Sequence, residues 1–304
     1  MHPDLAFLGI DAGGTQTRWA LQRHDGALLA EGSVGGFSAA QMSSAEGRAT
    51  VHTTLAALAG QVLAQARPQA VCAGLTGFGG DGALLTEWLA ALLFLAPSAV
   101  ALRSDIEIAY YDSFAPGEGY LVYAGTGSIA AWIDSGGAFH RAGGRGVTLD
   151  DGGGGYWIAR EALRHIWRRE DEAPGAWEQS PMARAVFEHV GGSDWSFSRQ
   201  FMNGQERGAI GMLALAVAVA ADSDPMARQI LESAGRELAR IAQALVSRYG
   251  ARPIVLAGRA AELHPLIAHS MRAALAPLSV EQKALQPHHA AARLAQRLVL
   301  HSSP

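Results

Sequence analysis

The sequence predicts an α/β protein made of two halves that begin with the same order of elements. In the first half, the apolar run "AFLGID" enters the glycine turn "DAGGTQT", and strand-like residues follow. In the second half, "GYLVYAGTGSIAAWIDSGGAFHRAG" repeats the order of strand, glycine turn, strand, turn and strand. Because helical segments and short buried strands follow in both halves, we expect an α/β architecture in each.

The first half is predicted to form a meander of three strands followed by alternating helices and strands. The turn "HDG" and glycines bound the strands, while apolar residues at helical spacing indicate the helices. In order, the segments are the strands "AFLGID", "TRWALQR" and "ALLAEG", the helix "GRATVHTTLAALAGQVLAQARP", the strand "AVCAGLTG", the helix "GALLTEWLAALLFLAP", the strand "AVALRSD" and the helix "IEIAYYDSFAPG".

The second half is predicted to continue from its strands into long helices. Apolar spacing and flanking proline or glycine indicate each of them. The segments are the helices "YWIAREALRHIWRRED", "PMARAVFEHV", "ERGAIGMLALAVAVAADS" and "DPMARQILESAGRELARIAQALVSRYG", then the strand "PIVLAG", a helix around "ELHPLIAHSMRAAL", the strand "LSVEQ" and the helix "HAAARLAQRLVL".

Composition and charge narrow the class of protein. The 304 residues carry a formal net charge of −4, and the 24 Lys and Arg residues are dispersed. This argues against a nucleic-acid partner and a polybasic membrane surface. The N-terminus lacks the pattern of a signal peptide, and the longest apolar runs are too short or broken by Pro97 to span a bilayer. We therefore expect a cytoplasmic enzyme.

Cysteine and histidine offer little for metal binding. The single cysteine, Cys72, excludes an intrachain disulfide, and its apolar surroundings predict a buried strand residue. The 11 histidines show no metal-ligand spacing. His288 and His289 are adjacent, so we expect their side chains to diverge.

The glycine loop that follows the first strand is a candidate phosphate site. It lacks the Gly-Lys pair of a P-loop, and Gly13 and Gly14 lead into a strand rather than the helix of a dinucleotide-binding fold. Backbone N–H groups with the hydroxyls of Thr15 and Thr17 could hold an anion, and Asp11 could hold a phosphate-bridging metal ion. A tight hairpin without a ligand is the alternative.

The second glycine loop has the same features. Gly125, Thr126, Gly127 and Ser128 formally begin a dinucleotide fingerprint, but "AAWID" is too short for the helix that should follow. A second hairpin that cradles an anion is therefore predicted. Two such loops, one in each half, predict a nucleotide between the halves.

Two carboxylates are candidates for chemistry. Asp105 follows a strand and precedes a helix, where it could be the general base for a substrate hydroxyl or simply a helix N-cap. Asp150 and Asp151 precede four consecutive glycines. That loop could bind a polyol or be a flexible connector. Gly258 ends a buried strand, where it could lie beside a flat ligand or form a turn.

Together these segments resemble the ATPase superfamily of sugar kinases, actin and heat-shock chaperones. "GIDAGGTQTRWAL" and "YAGTGSIAAW" are similar to its two phosphate motifs, and "IVLAGRAAEL" to its adenosine motif. Within it, the chain most resembles the N-acetylglucosamine kinases and the related activator-ATPase family. That resemblance rests on "SDIEIAYYDS", on "LDDGGGGYWIAREAL" and on "AADSDPMARQILESAGRELA".

The resemblance implies an α/β fold of two ribonuclease-H-like domains around an interdomain ATP cleft. The N-terminal domain would span residues 1–117, joined by the C-terminal helix 288–304. The other would span residues 118–287, with helical insertions. The implied reaction moves the γ-phosphate of ATP to the 6-hydroxyl of an amino sugar, foremost N-acetylglucosamine, with glucosamine or N-acetylmuramic acid as alternatives.

The resemblance also implies roles for individual residues. Asp105 would be the catalytic base and would bind the sugar together with Asp151. Asp11 would organise Mg²⁺. The remaining implied contacts are with ATP (Gly13, Gly14, Thr15, Thr17, Gly125, Thr126, Gly127, Ser128 and Gly258) and with the sugar (Gly143, Gly144 and Ser38).

Departures from the family pattern leave the precise sugar open. The loop "GGFSAAQMSS" lacks the sugar-binding Asn, so that Ser38 or Gln41 would substitute, and Arg259 follows Gly258 where paired glycines are usual. A non-catalytic sugar sensor and a reductase-activating ATPase remain alternatives, although the latter needs cluster-binding cysteines. The apolar helices within residues 181–248 fit either a homodimer interface or a buried interdomain surface.

Overall fold

The computed structural model describes residues 5–79 and 82–300, and the chain divides into two compact units. Unit 1 comprises Met1–Ala115 with Leu285–Pro304, and unit 2 comprises Pro116–Ala284. The domain boundaries predicted at residues 117 and 287 remain predictions, because the two units are compact groupings of residues and do not test where separate domains begin and end. Residues 1–4, 80, 81 and 301–304 of the predicted N-terminal domain lie outside the described residues.

Strands and helices are numbered along the chain. The strands are β1 (Ala6–Ala12), β2 (Gln16–Arg23), β3 (Leu28–Gly35), β4 (Pro68–Leu75), β5 (Val100–Ser104), β6 (Tyr120–Ala124), β7 (Ser128–Ile133), β8 (Phe139–Gly143), β9 (Ile254–Ala257) and β10 (Val280–Gln282). The helices are α1 (Ala45–Leu63), α2 (Ala83–Leu93), α3 (Asp105–Ser113), α4 (Gly155–Glu172), α5 (Pro181–Val190), α6 (Trp195–Gly204), α7 (Arg207–Met212), α8 (Ala214–Ala220), α9 (Pro225–Tyr249), α10 (Pro265–Leu275) and α11 (Pro287–Leu300). Short 3-10 turns lie at Ala39–Ser43, Pro97–Ala99 and Ala176–Gln179.

Each unit contains one mixed five-stranded sheet, and the two sheets have the same arrangement. The order is β3-β2-β1-β4-β5 in unit 1 and β8-β7-β6-β9-β10 in unit 2. In each sheet the first three strands along the chain pair antiparallel, and the last two are parallel to the first. The predicted α/β fold class, with two halves of one pattern, is confirmed.

The sheet of unit 1 is covered on both faces. Leu8 and Ile10 of β1 pack with Leu55 of α1, whereas Phe7 packs with Ala291 of α11 on the other face. Alternate residues of a strand point to opposite faces, so the apolar residues of β1 from Ala6 to Ile10 serve both layers. Cys72 of β4 is fully buried, as predicted, and burial raises the pKa of its thiol to about 12.

Unit 2 packs its helices around the second sheet and around each other. The 25-residue helix α9 begins at Pro225, with Asp224 as an N-cap whose side chain accepts from the N–H groups of Met226 and Ala227. Its apolar face, including Leu238 and Leu245, is buried. This helix thereby contributes a long buried face to the core of unit 2.

The helical segments of unit 2 differ from the prediction in two places. The single helix predicted over "ERGAIGMLALAVAVAADS" is broken into α7 and α8. At the break, the N–H of Leu213 donates to the carbonyl of Ile210, three residues back rather than four. Helix α6 was not predicted, because "DWSFSRQFMNG" mixes aromatic and polar residues. No helix within residues 5–79 and 82–300 combines the length and the apolarity that a membrane crossing requires.

Candidate functional site

The first glycine loop is a hairpin between β1 and β2, as predicted. The N–H of Gly13 donates to the carbonyl of Gln16 at 3.1 Å, and the N–H of Phe37 donates to the carbonyl of Gly13 at 3.1 Å. Gly36 lies against the loop, since a Cβ there would overlap the backbone of Gly14 and Thr15. Gly14 and Thr15 are exposed. Contacts with Gly36 and Phe37 thus hold the loop in place, while its tip is open to solvent.

The two threonines of this loop have different surroundings. Thr15 is exposed, whereas the side chain of Thr17 is fully buried (0% exposed). The Thr17 hydroxyl has no hydrogen-bond partner among the described residues. Of the two predicted hydroxyl donors, only Thr15 therefore presents its side chain to solvent.

Asp11 lies where β1 enters the loop. Burial, with the nearby charge of Asp105, raises the pKa of Asp11 to about 7 against the opposing charge of Arg18. Within the described chain no group donates a hydrogen bond to this carboxylate. A cation would relieve both the burial of the charge and the repulsion from Asp105, and Mg²⁺ prefers carboxylate oxygens together with phosphates. The carboxylate therefore fits the predicted metal ligand.

Asp105 is the first residue of α3, and the alternative that it caps this helix is wrong. Ser104 is the N-cap, its side chain accepts from the N–H of Glu107, and the Glu107 carboxylate accepts from the N–H of Ser104. This frees Asp105 from capping. Its Oδ1 accepts from the N–H of Ile106 at 2.8 Å, and its Oδ2 accepts from the hydroxyl of Thr76.

Thr76 is a residue that the sequence analysis missed. Its N–H donates to the carbonyl of Ala12 at 3.0 Å, and its carbonyl accepts from the N–H of Ala39 at 2.9 Å. Its hydroxyl donates to Asp105. Thr76 directly follows β4, so its position at the carboxyl end of a parallel strand is the signal that could have found it.

Ser38 also bonds to Thr76 rather than projecting freely. Its hydroxyl donates to the carbonyl of Thr76 at 3.0 Å and accepts from the N–H of Ala40. The Gln41 side chain accepts from the N–H of Ser38 at 2.8 Å, which completes a capping box for the turn Ala39–Ser43. The two side chains considered as sugar contacts thus order this loop.

The second glycine loop joins β6 and β7, again as a hairpin. Its carbonyls at Gly125 and Thr126 accept from the N–H groups of Gly155 and Tyr156, at 2.8 and 3.0 Å, in the first turn of α4. Gly154 permits this approach, because a Cβ there would lie 2.7 Å from the Gly127 backbone. The N–H groups of Thr126 and Gly127 have no acceptor among the described residues and are the loop's available donors.

The Ser128 hydroxyl, in contrast, is not available to a ligand. It is buried, 4% exposed, and its hydroxyl donates to the carbonyl of Gly152 at 2.7 Å. Its carbonyl accepts from the N–H of Gly144 at 2.9 Å. Ser128 therefore ties the glycine run and the end of β8 to the second loop, which brings Gly143 and Gly144 beside it.

Asp150 and Asp151 take separate roles despite being adjacent. Asp150 forms an ion pair with Arg240 at 3.0 Å. Asp151 is 8% exposed, and its Oδ1 accepts from the N–H groups of Arg145 and Gly146, both at 3.0 Å. A Cβ on Gly127 would overlap its Oδ2. The predicted carboxylate pair is thus one ion-paired residue and one buried acceptor beside the second loop.

Asp151 has a strained backbone conformation and a buried charge, both of which are unfavourable for folding. Its φ is +54°, in the left-handed region that non-glycine residues rarely adopt. Burial raises the pKa of Asp151, while the N–H groups of Gly146 and Arg145 oppose that shift. Strained residues of this kind cluster at functional sites, which supports its candidacy.

Gly258 ends β9 next to the second loop. A Cβ there would overlap the carbonyl of Ala124, and the N–H of Ala260 donates to the same carbonyl at 2.9 Å. The φ of Gly258 is +98°. Close packing against the end of β6 accounts for this glycine within unit 2.

Comparison with known proteins gives a family match over most of the chain. A family model described as the BadF/BadG/BcrA/BcrD ATPase family matches residues 8–290. A curated N-acetyl-D-glucosamine kinase of Dictyostelium discoideum is 26% identical over 178 residues, which are 55% of this chain and 55% of that protein. The match therefore spans about half the length of that curated relative.

Solved structures extend the likeness to nearly the whole chain. A structure from Chromobacterium violaceum, described as a candidate N-acetylglucosamine kinase, is 28% identical with a TM-score of 0.73 and covers 98% of this chain and 100% of that one. A ROK family glucokinase from Streptomyces griseus, solved with glucose and AMPPNP, is 17% identical with a TM-score of 0.60 and covers 96% and 99%. The second likeness concerns the fold alone.

Proposed function

Because the chain belongs to the BadF/BadG/BcrA/BcrD ATPase family, we propose that it is an ATP-dependent kinase of an amino sugar, most directly N-acetylglucosamine. Asp105 carries the proposal: its carboxylate is held by the Thr76 hydroxyl and the Ile106 N–H and is free of helix capping. The names of the relatives from Dictyostelium discoideum and Chromobacterium violaceum support the sugar.

In the proposed reaction, Asp105 accepts the proton of the sugar 6-hydroxyl as that oxygen attacks the γ-phosphorus. The new oxygen–phosphorus bond forms while the bond to the β–γ bridging oxygen breaks, and ADP leaves with that electron pair. Phosphoryl transfer needs little covalent work from the protein, so positioning of the acceptor carboxylate is its main contribution.

The phosphates would be held by backbone donors. In unit 1 these are the exposed loop residues Gly14 and Thr15, and in unit 2 they are the N–H groups of Thr126 and Gly127. Asp11 would hold Mg²⁺, which neutralises phosphate charge when bound. Thr17 and Ser128 would support the loops from within, since both are buried.

The sugar would be recognised through hydroxyl groups. Asp151 has an oxygen, Oδ2, that accepts no hydrogen bond among the described residues, and a buried carboxylate is a strong acceptor for a hydroxyl. Gly143 and Gly144 lie beside Ser128, and the next residue, Arg145, donates its N–H to Asp151. Ser38 would act by ordering its loop.

A sugar panel tests the proposal. Purified full-length protein is supplied with MgATP and N-acetylglucosamine, glucosamine, N-acetylmannosamine, N-acetylmuramic acid or glucose, and ADP release is measured. We expect turnover with an amino sugar, formation of its 6-phosphate and none with the 6-deoxy analogue. Sugar binding without ADP release would instead identify a sensor, and no binding would overturn the proposal.

The reductase-activating ATPase is the weaker alternative. An iron–sulfur cluster shared between two chains needs two thiolates from each. The chain has one cysteine, and Cys72 is fully buried with a pKa raised to about 12. Iron analysis of purified protein is expected to give no cluster.

A further inference from the structure

We propose that Glu31, His288 and His289 form a binding site for a borderline divalent cation such as Zn²⁺, which fastens helix α11 to strand β3. Glu31 lies on the edge strand of the unit 1 sheet, and the two histidines lie in the first turn of α11. The site uses none of the residues proposed for phosphate transfer, so it stands apart from the proposed function.

The three side chains converge. His289 Nε2 lies 2.9 Å from Glu31 Oε2, and His288 Nε2 lies 3.6 Å from the same oxygen. The three potential ligand atoms all lie within 4.8 Å of one another. Around a tetrahedral Zn²⁺ ion, neighbouring ligand atoms are about 3.3 Å apart. The observed distances bracket that value, so only small movements are needed.

The prediction that the adjacent histidines diverge is therefore wrong. At the start of α11 their rings are 4.4 Å apart between centroids and nearly perpendicular, at 79°. This orientation lets both Nε2 atoms face the same carboxylate. Sequence spacing alone could not show it, because Glu31 is more than 250 residues away along the chain.

An ordinary ion pair with Glu31 does not explain the surroundings of His288. It is 6% exposed, and its Nδ1 has no hydrogen-bond partner among the described residues. Its Nε2, at 3.6 Å from the carboxylate, is beyond hydrogen-bond distance. An imidazole buried without partners is costly. A metal ion at Nε2 would give that nitrogen a partner.

The backbone that carries the histidines is held in place. Gly9 of β1 lets α11 approach, because a Cβ there would overlap the carbonyl oxygen of His288. The N–H of His289 donates to the carbonyl of Gln286 at 2.9 Å, and the N–H of Gln286 donates to Asp112 at 2.7 Å. The two ligands are thus preorganised before an ion arrives, which lowers the cost of binding.

The ligand set selects the cation. Two imidazoles and one carboxylate suit Zn²⁺ and its neighbours, whereas Mg²⁺ and Ca²⁺ prefer oxygen ligands throughout. The Glu31 side chain is 53% exposed, so water can complete the coordination. The carboxylate also supplies the negative charge that offsets the positive end of the α11 dipole.

The test is titration of ZnCl₂ into chelator-treated full-length protein, followed by calorimetry and thermal melting. With MgCl₂ present throughout, so that the proposed Mg²⁺ ligand Asp11 does not contribute, we expect one Zn²⁺ per chain and a rise in Tm of about 5 °C at 100-fold excess over Kd. Glu31→Gln and His289→Ala, both at accessible positions, should weaken Zn²⁺ binding about 10-fold or more. The control His269→Ala changes an exposed histidine of α10 and should bind as the wild type does.

Two results would overturn the proposal. One is the lack of saturable Zn²⁺ binding to the wild-type chain. The other is wild-type affinity in both Glu31→Gln and His289→Ala after circular dichroism has shown that they fold. In either case the cluster holds no cation and consists of the ion pairs between Glu31 and the two histidines.

Discussion

The two glycine hairpins each lie beside a carboxylate withdrawn from solvent, partly for Asp11 and almost fully for Asp151, but the two carboxylates are stabilised differently. Asp11 of unit 1 accepts no hydrogen bond from the described residues, and its pKa is raised to about 7 by burial and by Asp105. Asp151 of unit 2 is buried, but two backbone N–H groups donate to it. The first carboxylate thus lacks a partner that a cation would supply, whereas the second already has donors on one oxygen.

One strand–turn–strand pattern thus places a carboxylate in two different ways. In unit 1 the carboxylate is part of the first strand, so the hairpin itself sets its position. In unit 2 the carboxylate arrives from a separate loop, and a left-handed backbone with φ of +54° aims it at Gly127. We expect the first arrangement to favour a cation and the second to favour a neutral hydroxyl.

The largest expected effect is on stability at Asp11. Its folded pKa of about 7 lies above the ordinary aspartate value of 3.8, so the folded state favours the protonated form. Stability from this group is complete below pH 4 and is lost as pH rises through 7, by at most about 4 kcal/mol. Asp11→Asn should therefore lose less Tm between pH 5 and pH 8 than the wild type. Equal losses in thermal melts without Mg²⁺ would contradict the assigned environment.

The next effect is on sugar use at Asp151. Asp151→Asn removes the charge that would accept a sugar hydroxyl, and kcat/KM for the sugar should fall roughly 10²-fold while KM for ATP stays near normal. The adjacent Asp150→Asn is the matched control, because Asp150 is ion-paired with Arg240 and should change kcat/KM less than about twofold. Similar losses in both variants would remove the distinction between the two aspartates.

Glycine substitutions test the support of each hairpin separately. Gly36→Ala would push against the first loop and Gly154→Ala against the second, and each should lower the free energy of unfolding by about 2 kcal/mol and raise KM for ATP. Gly35→Ala and Gly208→Ala are the controls, since a Cβ at either site meets nothing within 4 Å. Denaturant melts that fail to separate Gly36→Ala from Gly35→Ala would show that the first loop adapts.

The smallest effect is expected at Thr76. Thr76→Val keeps the shape of the side chain but removes the donor to Asp105, so kcat should fall about tenfold with KM for ATP unchanged. Thr76→Ser restores a hydroxyl and should recover most of the rate. A purely structural role predicts loss of stability in both variants and no recovery of kcat with serine.

The sequence could predict what depends on neighbouring residues. The hairpins at Gly13–Gly14 and Gly125–Gly127, and the place of Asp105 after a strand, follow from local patterns that the structure contains. The capping role of Ser104 could also have been predicted, because "SDIE" has the spacing of a capping box.

Contacts between distant segments could not be predicted in this way. Thr76 donates to Asp105, which lies 29 residues further along the chain. A glycine is needed at position 36 only because the backbone of the loop at Gly14 packs directly against it. The separation of Asp150 from Asp151 depends on Arg240, 90 residues away. Such contacts follow from the strand order of each sheet rather than from any local pattern.

The role of Asp105 as the acceptor of the hydroxyl proton is tested by comparing Asp105→Asn with Asp171→Asn in the ATP-coupled assay, using the sugar that the wild type phosphorylates. Asp171 is an exposed acid of α4 and serves as the matched control. If Asp105 accepts the hydroxyl proton, kcat should fall on the order of 10²-fold or more in Asp105→Asn and stay unchanged in the control. Near-wild-type kcat in a folded Asp105→Asn variant would contradict the account.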